Sequence, residues 1–508
     1  MLDSKEDKLK VIRSLMQNNK VLHQRFFDEN QNLLPWVHKH LCMVVEFIKI
    51  NYLSCLQNVE IDDVVLTGSL CGHTYNNTSD LDLFIILKDE CTNGFVLDDN
   101  IISALSNFLI WSLKPKNYGH LIDVGLMKKS GHIKERGFAA YSTYATYSIL
   151  KNNWYEKSLY SEFDVTPEEM LERYQEYSDG LHQFVQQLPK TDDGFLTYDG
   201  VQELDGKISE LKKNAFNAKH DNPKHEYELD YLLYRLAKKF GLLNHYGDYV
   251  FDSYKHYLGN DKRITSAKLT IDEYVKALLT PKETLSEELF IDGVLKEDIK
   301  KQIKDQVDFV INKTRLNQID GLSIKDVYIS GDFAGYYYND LSSIDIKIEV
   351  SNENCPFLAS GDEALEMFCK EIYWGKLNDY KFTLNNRKIT FIFCAKKTEF
   401  LDLYSINQDK WLKEPDKQER QHIDVENLLS EWNKRYNNLK TQIKVLNENK
   451  HRYSAYHIED LNYCRNFIIN RKNISIYEYV VYKLMLASGA IKELNDTIFN
   501  VTNKFLSL

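Results

Sequence analysis

A glycine turn followed by paired carboxylates constrains this chain more than any other feature of its sequence. The segment LTGSLCGHTYNNTSDLDLFIIL, residues 66–87, opens with Gly68 and Ser69. A D-x-D motif, Asp80 and Asp82, then begins an apolar run. Gly68 permits a tight turn, and Ser69 offers a hydroxyl and a backbone N–H to an anion such as phosphate. The apolar run predicts a buried strand.

The D-x-D motif predicts a site for a divalent cation. Residues two apart on a strand face the same side, so Asp80 and Asp82 point the same way and need a positive charge between them. Mg²⁺ fits, because it is held by few carboxylates together with substrate phosphates. A third carboxylate, Asp123, lies in a second predicted strand, HLIDVGLM. Burying it unpaired costs free energy, and a shared metal ion offsets that cost.

These motifs resemble those of the nucleotidyltransferase superfamily of DNA polymerase β. The G-S-x-x-x-G start (Gly68, Ser69, Gly72) and its distance from the D-x-D motif are similar to those of the minimal, antibiotic-modifying members and of the glutamine-synthetase adenylyltransferases. The resemblance implies transfer of a nucleoside monophosphate from an NTP, by default ATP, to an acceptor hydroxyl, with release of pyrophosphate. It also implies two Mg²⁺ ions, or Mn²⁺, held by the three aspartates.

Further nucleotide-binding residues are harder to identify. The resemblance implies that Gly68 and Ser69 hold the β- and γ-phosphates, and that aromatic side chains and a lysine complete a cleft between sheet and helices. Lys212, Lys213 and Tyr234 are the candidates in the predicted helical region. Each of the three positions is more typical of an ordinary surface or core residue than of a nucleotide ligand.

The sequence leaves the acceptor open. A hydroxyl of a small molecule or a protein agrees with the net charge of −11, because proteins that bind long nucleic acids usually carry a basic surface. A template-independent enzyme acting on RNA or tRNA ends, or an oligonucleotide second-messenger synthase, is the first alternative. The second is a partner-dependent binding module with a regulatory pseudo-transferase half. We expect neither long duplex nucleic acid nor a membrane as a partner.

The chain repeats its glycine turn and strand. Residues 327–350 (VYISGDFAGYYYNDLSSIDIKIEV) align with residues 64–87, and the second copy keeps both glycines and the second aspartate of the motif. The kept residues are Gly331, Gly335 and Asp345. Three other residues of the predicted site are replaced, by Asp332, Ser343 and Thr390. Because one carboxylate cannot assemble a two-metal site, we predict a degenerate copy that keeps the fold and has lost the chemistry.

These observations predict an α+β chain of two tandem units. Each unit is expected to contain a polymerase-β-like mixed sheet with helices, followed by a helical domain. The predicted segments are N-terminal helices with the active domain (1–136), a helical domain (137–260), a charged connector (261–296), the degenerate domain (297–400) and a second helical domain (401–508).

Cysteine usage and hydropathy indicate the compartment. The eight cysteines are scattered without C-x-x-C pairs, which is typical of reduced thiols rather than of a disulfide framework or a zinc site. No apolar stretch approaches the length of a membrane span. We therefore expect a cytoplasmic protein.

Overall fold

The chain divides into two compact units in a computed structural model, unit 1 (Met1–Asp261) and unit 2 (Lys262–Ser507). The structure describes residues 4–129, 144–221, 223–257, 270–339, 342–353, 355–377, 380–385, 387–395, 402–448, 455–471 and 475–507. The predicted boundaries at 136, 260 and 400 all fall outside these described residues.

Unit 1 combines a mixed sheet with helices. Its strands are β1 (Ile61–Thr67), β2 (Leu81–Leu87), β3 (Lys116–Asn117), β4 (His120–Lys128), β5 (Thr146–Ser148) and β6 (Asn153–Glu156). Its helices are α1 (Lys5–Leu15), α2 (Pro35–Asn51), α3 (Asp99–Ser112), α4 (Pro167–Gln187), α5 (Tyr198–Asp221), α6 (Leu229–Lys239) and α7 (Leu242–Tyr257). The strand order is β3-β4-β2-β1-β5-β6, with β2 parallel to β4 and the other pairs antiparallel.

Strand β2 lies in the interior of this sheet, between β1 and β4. Leu81, Leu83 and Ile85 are fully buried, whereas Asp82 and Phe84 alternate with them and stay partly exposed. This alternation is expected of a strand that packs one face on a core. It leaves Asp82 on the accessible face of the sheet.

Helix α3 makes the parallel pairing of β2 and β4 possible. A parallel pair needs a crossover connection, and α3 lies in the chain between the two strands. It begins at the N-cap Asp98, whose side chain accepts hydrogen bonds from the backbone N–H groups of Asn100 and Ile101. The resulting register places Asp82 opposite Asp123.

Apart from an added β-hairpin, unit 2 repeats the element order of unit 1 through its sheet. Its strands are β7 (Phe290–Ile291), β8 (Val294–Leu295), β9 (Leu322–Ser330), β10 (Ile344–Asn352), β11 (Thr383–Leu384), β12 (Arg387–Cys394), β13 (Leu403–Ser405) and β14 (Lys410–Lys413). Its helices are α8 (Ile271–Leu279), α9 (Glu297–Thr314), α10 (Asp362–Leu377), α11 (Val425–Glu448), α12 (Ala455–Arg471), α13 (Ile476–Ala487) and α14 (Ala490–Phe505). The order β11-β12-β10-β9-β13-β14 matches that of unit 1.

The likeness of the units extends to single hydrogen bonds. In unit 1 the indole Nε1 of Trp154 donates to the backbone oxygen of Gln31 at 2.6 Å. In unit 2 the indole Nε1 of Trp411 donates to the backbone oxygen of Gly293 at 2.7 Å. The described residues thus form two six-stranded mixed sheets of the same order, which is compatible with the predicted α+β class.

The segment predicted as a charged connector, 261–296, instead contributes to unit 2. Residues 261–269 lie outside the described residues, but α8 and the β7–β8 hairpin follow them. Tyr274, Val275 and Leu278 of α8 are buried in a core cluster of this unit. The sequence of α8, IDEYVKALL, is rich in apolar residues at helical spacing, which is the pattern of an amphipathic helix that packs on a core.

Two chain-wide expectations can be compared with the structure. All eight cysteines are free thiols. None of the described helices combines the length and the apolar composition that a membrane crossing requires.

Candidate functional site

The turn after β1 requires glycine for two reasons. Gly68 has a φ of +86°, a region that L-residues with a side chain rarely adopt. A Cβ built on Gly68 would also lie only 1.9 Å from Oδ2 of Asp82. The turn that follows, Ser69–Cys71, is a short 3₁₀ helix. The carboxylate of Asp82 is therefore packed directly against the backbone of the turn.

The structure brings the three predicted aspartates together. Asp80, Asp82 and Asp123 each offer a carboxylate oxygen, and these oxygens all lie within 4.8 Å of one another. Two features of the sheet cause this convergence: the parallel register sets Asp82 opposite Asp123, and Asp80 immediately precedes β2. All three side chains are partly exposed and can be reached from solvent.

Burial and mutual repulsion act together on the carboxylates of this triad. Burial, the charge of Asp80 and, to a smaller extent, the charge of Asp123 raise the pKa of the Asp82 carboxyl to about 7. The pKa of the Asp123 carboxyl is raised by burial and by Asp80. A positive charge placed among the three groups would relieve the repulsion.

The donor set fits a divalent, oxygen-binding cation. Three carboxylates are the ligands that Mg²⁺ and Mn²⁺ favour. Oδ1 of Asp123 is buried and has no hydrogen-bond partner among the described residues. Its nearest cation is the ammonium of Lys114, whose Nζ lies 3.8 Å away and is partly exposed. The triad therefore has both the charge and the vacant lone pairs that a metal ion requires.

Cationic side chains from the helices face the triad. Lys219 of α5 and Lys238 of α6 are the cations that most lower the pKa of Asp82. Lys219 is only 7 % exposed, and its Nζ lies 5.2 Å from the ring centroid of Tyr231. The guanidinium of Arg235 lies near Lys219, and its Nη1 is buried without a hydrogen-bond partner among the described residues. Buried Lys219, partly exposed Arg235 and exposed Lys238 together can bind an anion.

Lys212 and Lys213, the predicted nucleotide-binding lysines, are not the cations that act most strongly on the triad. Lys212 is exposed on α5, two helical turns before Lys219. The predicted aromatic, Tyr234, packs against Phe216 of α5, with ring centroids 6.2 Å apart. Lys219 belongs to the same basic stretch of the sequence, and only its burial distinguishes it from its neighbours.

Unit 2 lacks this constellation. Asp345 again lies opposite the neighbouring parallel strand, where its partner is Thr390. The hydroxyl of Ser343 donates to Oδ1 of Asp345 at 2.8 Å, so the remaining carboxylate is already hydrogen-bonded. Among the described residues of unit 2, no group of three potential metal ligands converges.

Comparisons of the chain with protein-family models, with curated proteins and with solved structures found no match. The site is therefore interpreted from its own geometry and charge. Its three features are the convergent carboxylates, the glycine turn packed against them, and the cationic side chains of the helical region.

The first prediction concerns Gly68→Ala. Both Gly68 and Gly94 have a positive φ, but a Cβ on Gly94 would meet nothing within 4 Å. We expect Gly94→Ala to cost about 1–2 kcal/mol in free energy of unfolding from backbone strain alone. Gly68→Ala should cost roughly 1–3 kcal/mol more, because Asp82 must move. Urea unfolding measures the stability of both variants, and titration with Mn²⁺ measures how well each of them binds the metal ion. Equal stability of the two variants would contradict the packing of Asp82 on the turn.

The second prediction concerns Asp82→Asn in metal-free protein. The folded-state pKa of Asp82, about 7, lies above its ordinary value of 3.8. The stability contributed by the protonated Asp82 carboxyl is therefore fully present below pH 3.8, and it is lost as the pH rises through the folded-state pKa. The variant cannot ionise at this position, so it should lose less stability than the parent between about pH 4 and pH 7.

Urea unfolding in the presence of a chelator measures this difference. Asp345→Asn is the matched control in unit 2, because Asp345 has a hydroxyl donor and no converging carboxylates. A parent and an Asp82→Asn variant that lose the same stability over this pH range would refute the raised pKa of Asp82.

Proposed function

We propose that unit 1 is a metal-dependent nucleotidyltransferase of the DNA polymerase β type. It moves a nucleoside monophosphate, by default AMP from ATP, to an acceptor hydroxyl and releases pyrophosphate. The observation that carries the proposal is the convergence of Asp80, Asp82 and Asp123 beside the Gly68 turn. An in-line displacement at phosphorus needs both elements, cation ligands and a phosphate-binding turn.

The three aspartates would bind the metal ions, and Asp123 also serves as the proton acceptor. Asp80, Asp82 and Asp123 would ligate two Mg²⁺ ions, with Mn²⁺ as a substitute. When bound, these ions neutralise the charge on the attacking and leaving oxygens. Oδ1 of Asp123, which has no hydrogen-bond partner among the described residues, accepts the proton of the acceptor hydroxyl.

The turn and the cations of the helices bind the triphosphate. The hydroxyl of Ser69 and the backbone N–H groups of the turn donate to phosphate oxygens. Lys219, Arg235 and Lys238 balance its negative charge. The position of Arg235 is supported by unit 2, where the residue at the matching place of the helix, Lys483, approaches the carboxylate that replaces Ser69 at 3.3 Å.

The net charge of −11 favours a small molecule or a protein side chain as the acceptor. The direct experiment incubates the full chain with Mg²⁺ and each α-³²P-labelled NTP, with and without an RNA oligonucleotide. Released pyrophosphate together with label on an acceptor supports the proposal, and RNA-dependent labelling identifies an RNA end as that acceptor. The Asp80→Ala/Asp82→Ala double variant is the negative control, and turnover equal to the parent's in this variant would overturn the assignment.

The third prediction separates chemistry from binding at Asp123. An amide is a poorer metal ligand than a carboxylate and cannot accept a proton. Asp123→Asn should therefore retain NTP binding and lose turnover by about 10²-fold or more. Asp345→Asn, the matched change in unit 2, should retain the turnover of the parent. An Asp123→Asn variant as active as the parent would exclude Asp123 from the site.

The fourth prediction tests the phosphate-binding role of Lys219. Lys219→Met keeps the length of the side chain and removes its charge. NTP affinity should fall by about 10- to 100-fold, as for the loss of one hydrogen bond to a charged group, about 1.5–3 kcal/mol. Lys212→Met, an exposed change on the same helix, should leave the affinity unchanged. Equilibrium titration with a non-hydrolysable NTP analogue measures both, and equal effects would remove Lys219 from the binding site.

A further inference from the structure

The turn of unit 2 carries an acidic residue where unit 1 carries a serine. Asp332 follows Gly331, whose φ of +83° reproduces the conformation of Gly68. Asp332 is 3 % exposed. One of its oxygens accepts a hydrogen bond from Nη2 of Arg420 at 2.6 Å, and the other lies 3.3 Å from Nζ of Lys483. A carboxylate thus occupies the place where the turn of unit 1 offers a hydroxyl to an external anion.

The two cations around Asp332 are held in position by the fold. Arg420 is 3 % exposed and donates from Nη1 to the backbone oxygen of Leu278 at 2.9 Å. Its guanidinium carbon lies 4.4 Å from the ring centroid of Tyr337. Lys483 is 8 % exposed. Because both cations are buried, they need an anion beside them.

Polar atoms without partners also surround the Asp332 carboxylate. Nε of Arg420 and the hydroxyl of Tyr479 are buried and have no hydrogen-bond partner among the described residues. That hydroxyl lies 3.4 Å from the point where a Cβ on Gly331 would be. The Asp332 carboxylate, in the position it occupies, leaves these two donors unsatisfied, whereas a tetrahedral oxyanion has more acceptor oxygens.

We propose that unit 2 retains a binding site for a phosphate-type oxyanion, formed by Arg420, Lys483 and the Gly331 turn, and that Asp332 occupies it as a built-in anion. Guanidinium groups bind carboxylates and phosphates with the same paired geometry. Although burial alone would raise it, Lys483 and Arg420 hold the pKa of the Asp332 carboxyl below its ordinary value. The carboxylate is therefore ionised and balances the buried charge.

The two units differ in the source of the anion. Ser69 brings no charge to the turn of unit 1, whereas Asp332 supplies an anion at the turn of unit 2 from within the chain. The turn of unit 2 is thus closed to free phosphate by its own side chain. The inference concerns phosphate binding in unit 2 only, so its outcome is independent of nucleotidyl transfer in unit 1.

Asp332→Ser, which installs the residue of unit 1, tests the proposal in the full chain. Metal-free calorimetric titration with sodium tripolyphosphate counts the binding sites. We expect the variant to gain one site per chain relative to the parent, whose titration records any binding in unit 1. The melting temperature of the variant should fall below that of the parent in sodium chloride, and sodium phosphate of equal ionic strength should restore part of the loss.

The double variant Asp332→Ser/Lys483→Met is the matched control, because it removes one cation of the site together with the carboxylate. It should gain no tripolyphosphate site, and phosphate should shift its melting temperature no more than that of the parent. The proposal is overturned if Asp332→Ser gains no site, if the double variant gains the same site, or if Asp332→Ser is unfolded in both phosphate and chloride. Folding of Asp332→Ser in phosphate but not in chloride would support it.

Discussion

Three carboxylates held within 4.8 Å of one another are the constraint on which the rest of unit 1 depends. The sheet imposes their proximity, because the parallel pairing of β2 with β4 sets Asp82 opposite Asp123. The repulsion is not relieved by movement, since Asp82 is packed on the Gly68 turn. The fold thus holds together negative charges that a divalent cation can neutralise, and helices of the same unit carry cationic side chains near them.

In unit 2, the charged groups at the corresponding positions are paired with other residues of the same unit. One aspartate of the motif is replaced by Ser343, whose hydroxyl donates to Asp345, and the position opposite is Thr390. At the turn, Asp332 pairs with the buried cations Arg420 and Lys483. The carboxylate of the motif, Asp345, and the carboxylate at the turn, Asp332, thus both have partners within unit 2. Two copies of one fold can in this way differ in binding through a few polar substitutions while the sheet is kept.

The sequence was informative where local pattern determines structure. The apolar run after the D-x-D motif is strand β2, and the spacing of glycine and aspartates identified three side chains that the structure brings together. Helix α8 lies within the segment interpreted as a connector, although its apolar residues recur at helical spacing. Lys219 and Arg420 were not predicted, since their place beside the turns depends on burial by other elements. Such long-range packing of a polar residue leaves no signal in local periodicity.

The central claim is that the triad of unit 1 holds a divalent cation and that unit 2 does not. Electron paramagnetic resonance of Mn²⁺ titrated into the full chain counts occupied sites directly. We predict that the Mn²⁺ bound by the parent is lost in the Asp80→Asn/Asp82→Asn variant and fully retained in Asp345→Asn. Binding that persists in the double variant, or that disappears in Asp345→Asn, would contradict the account.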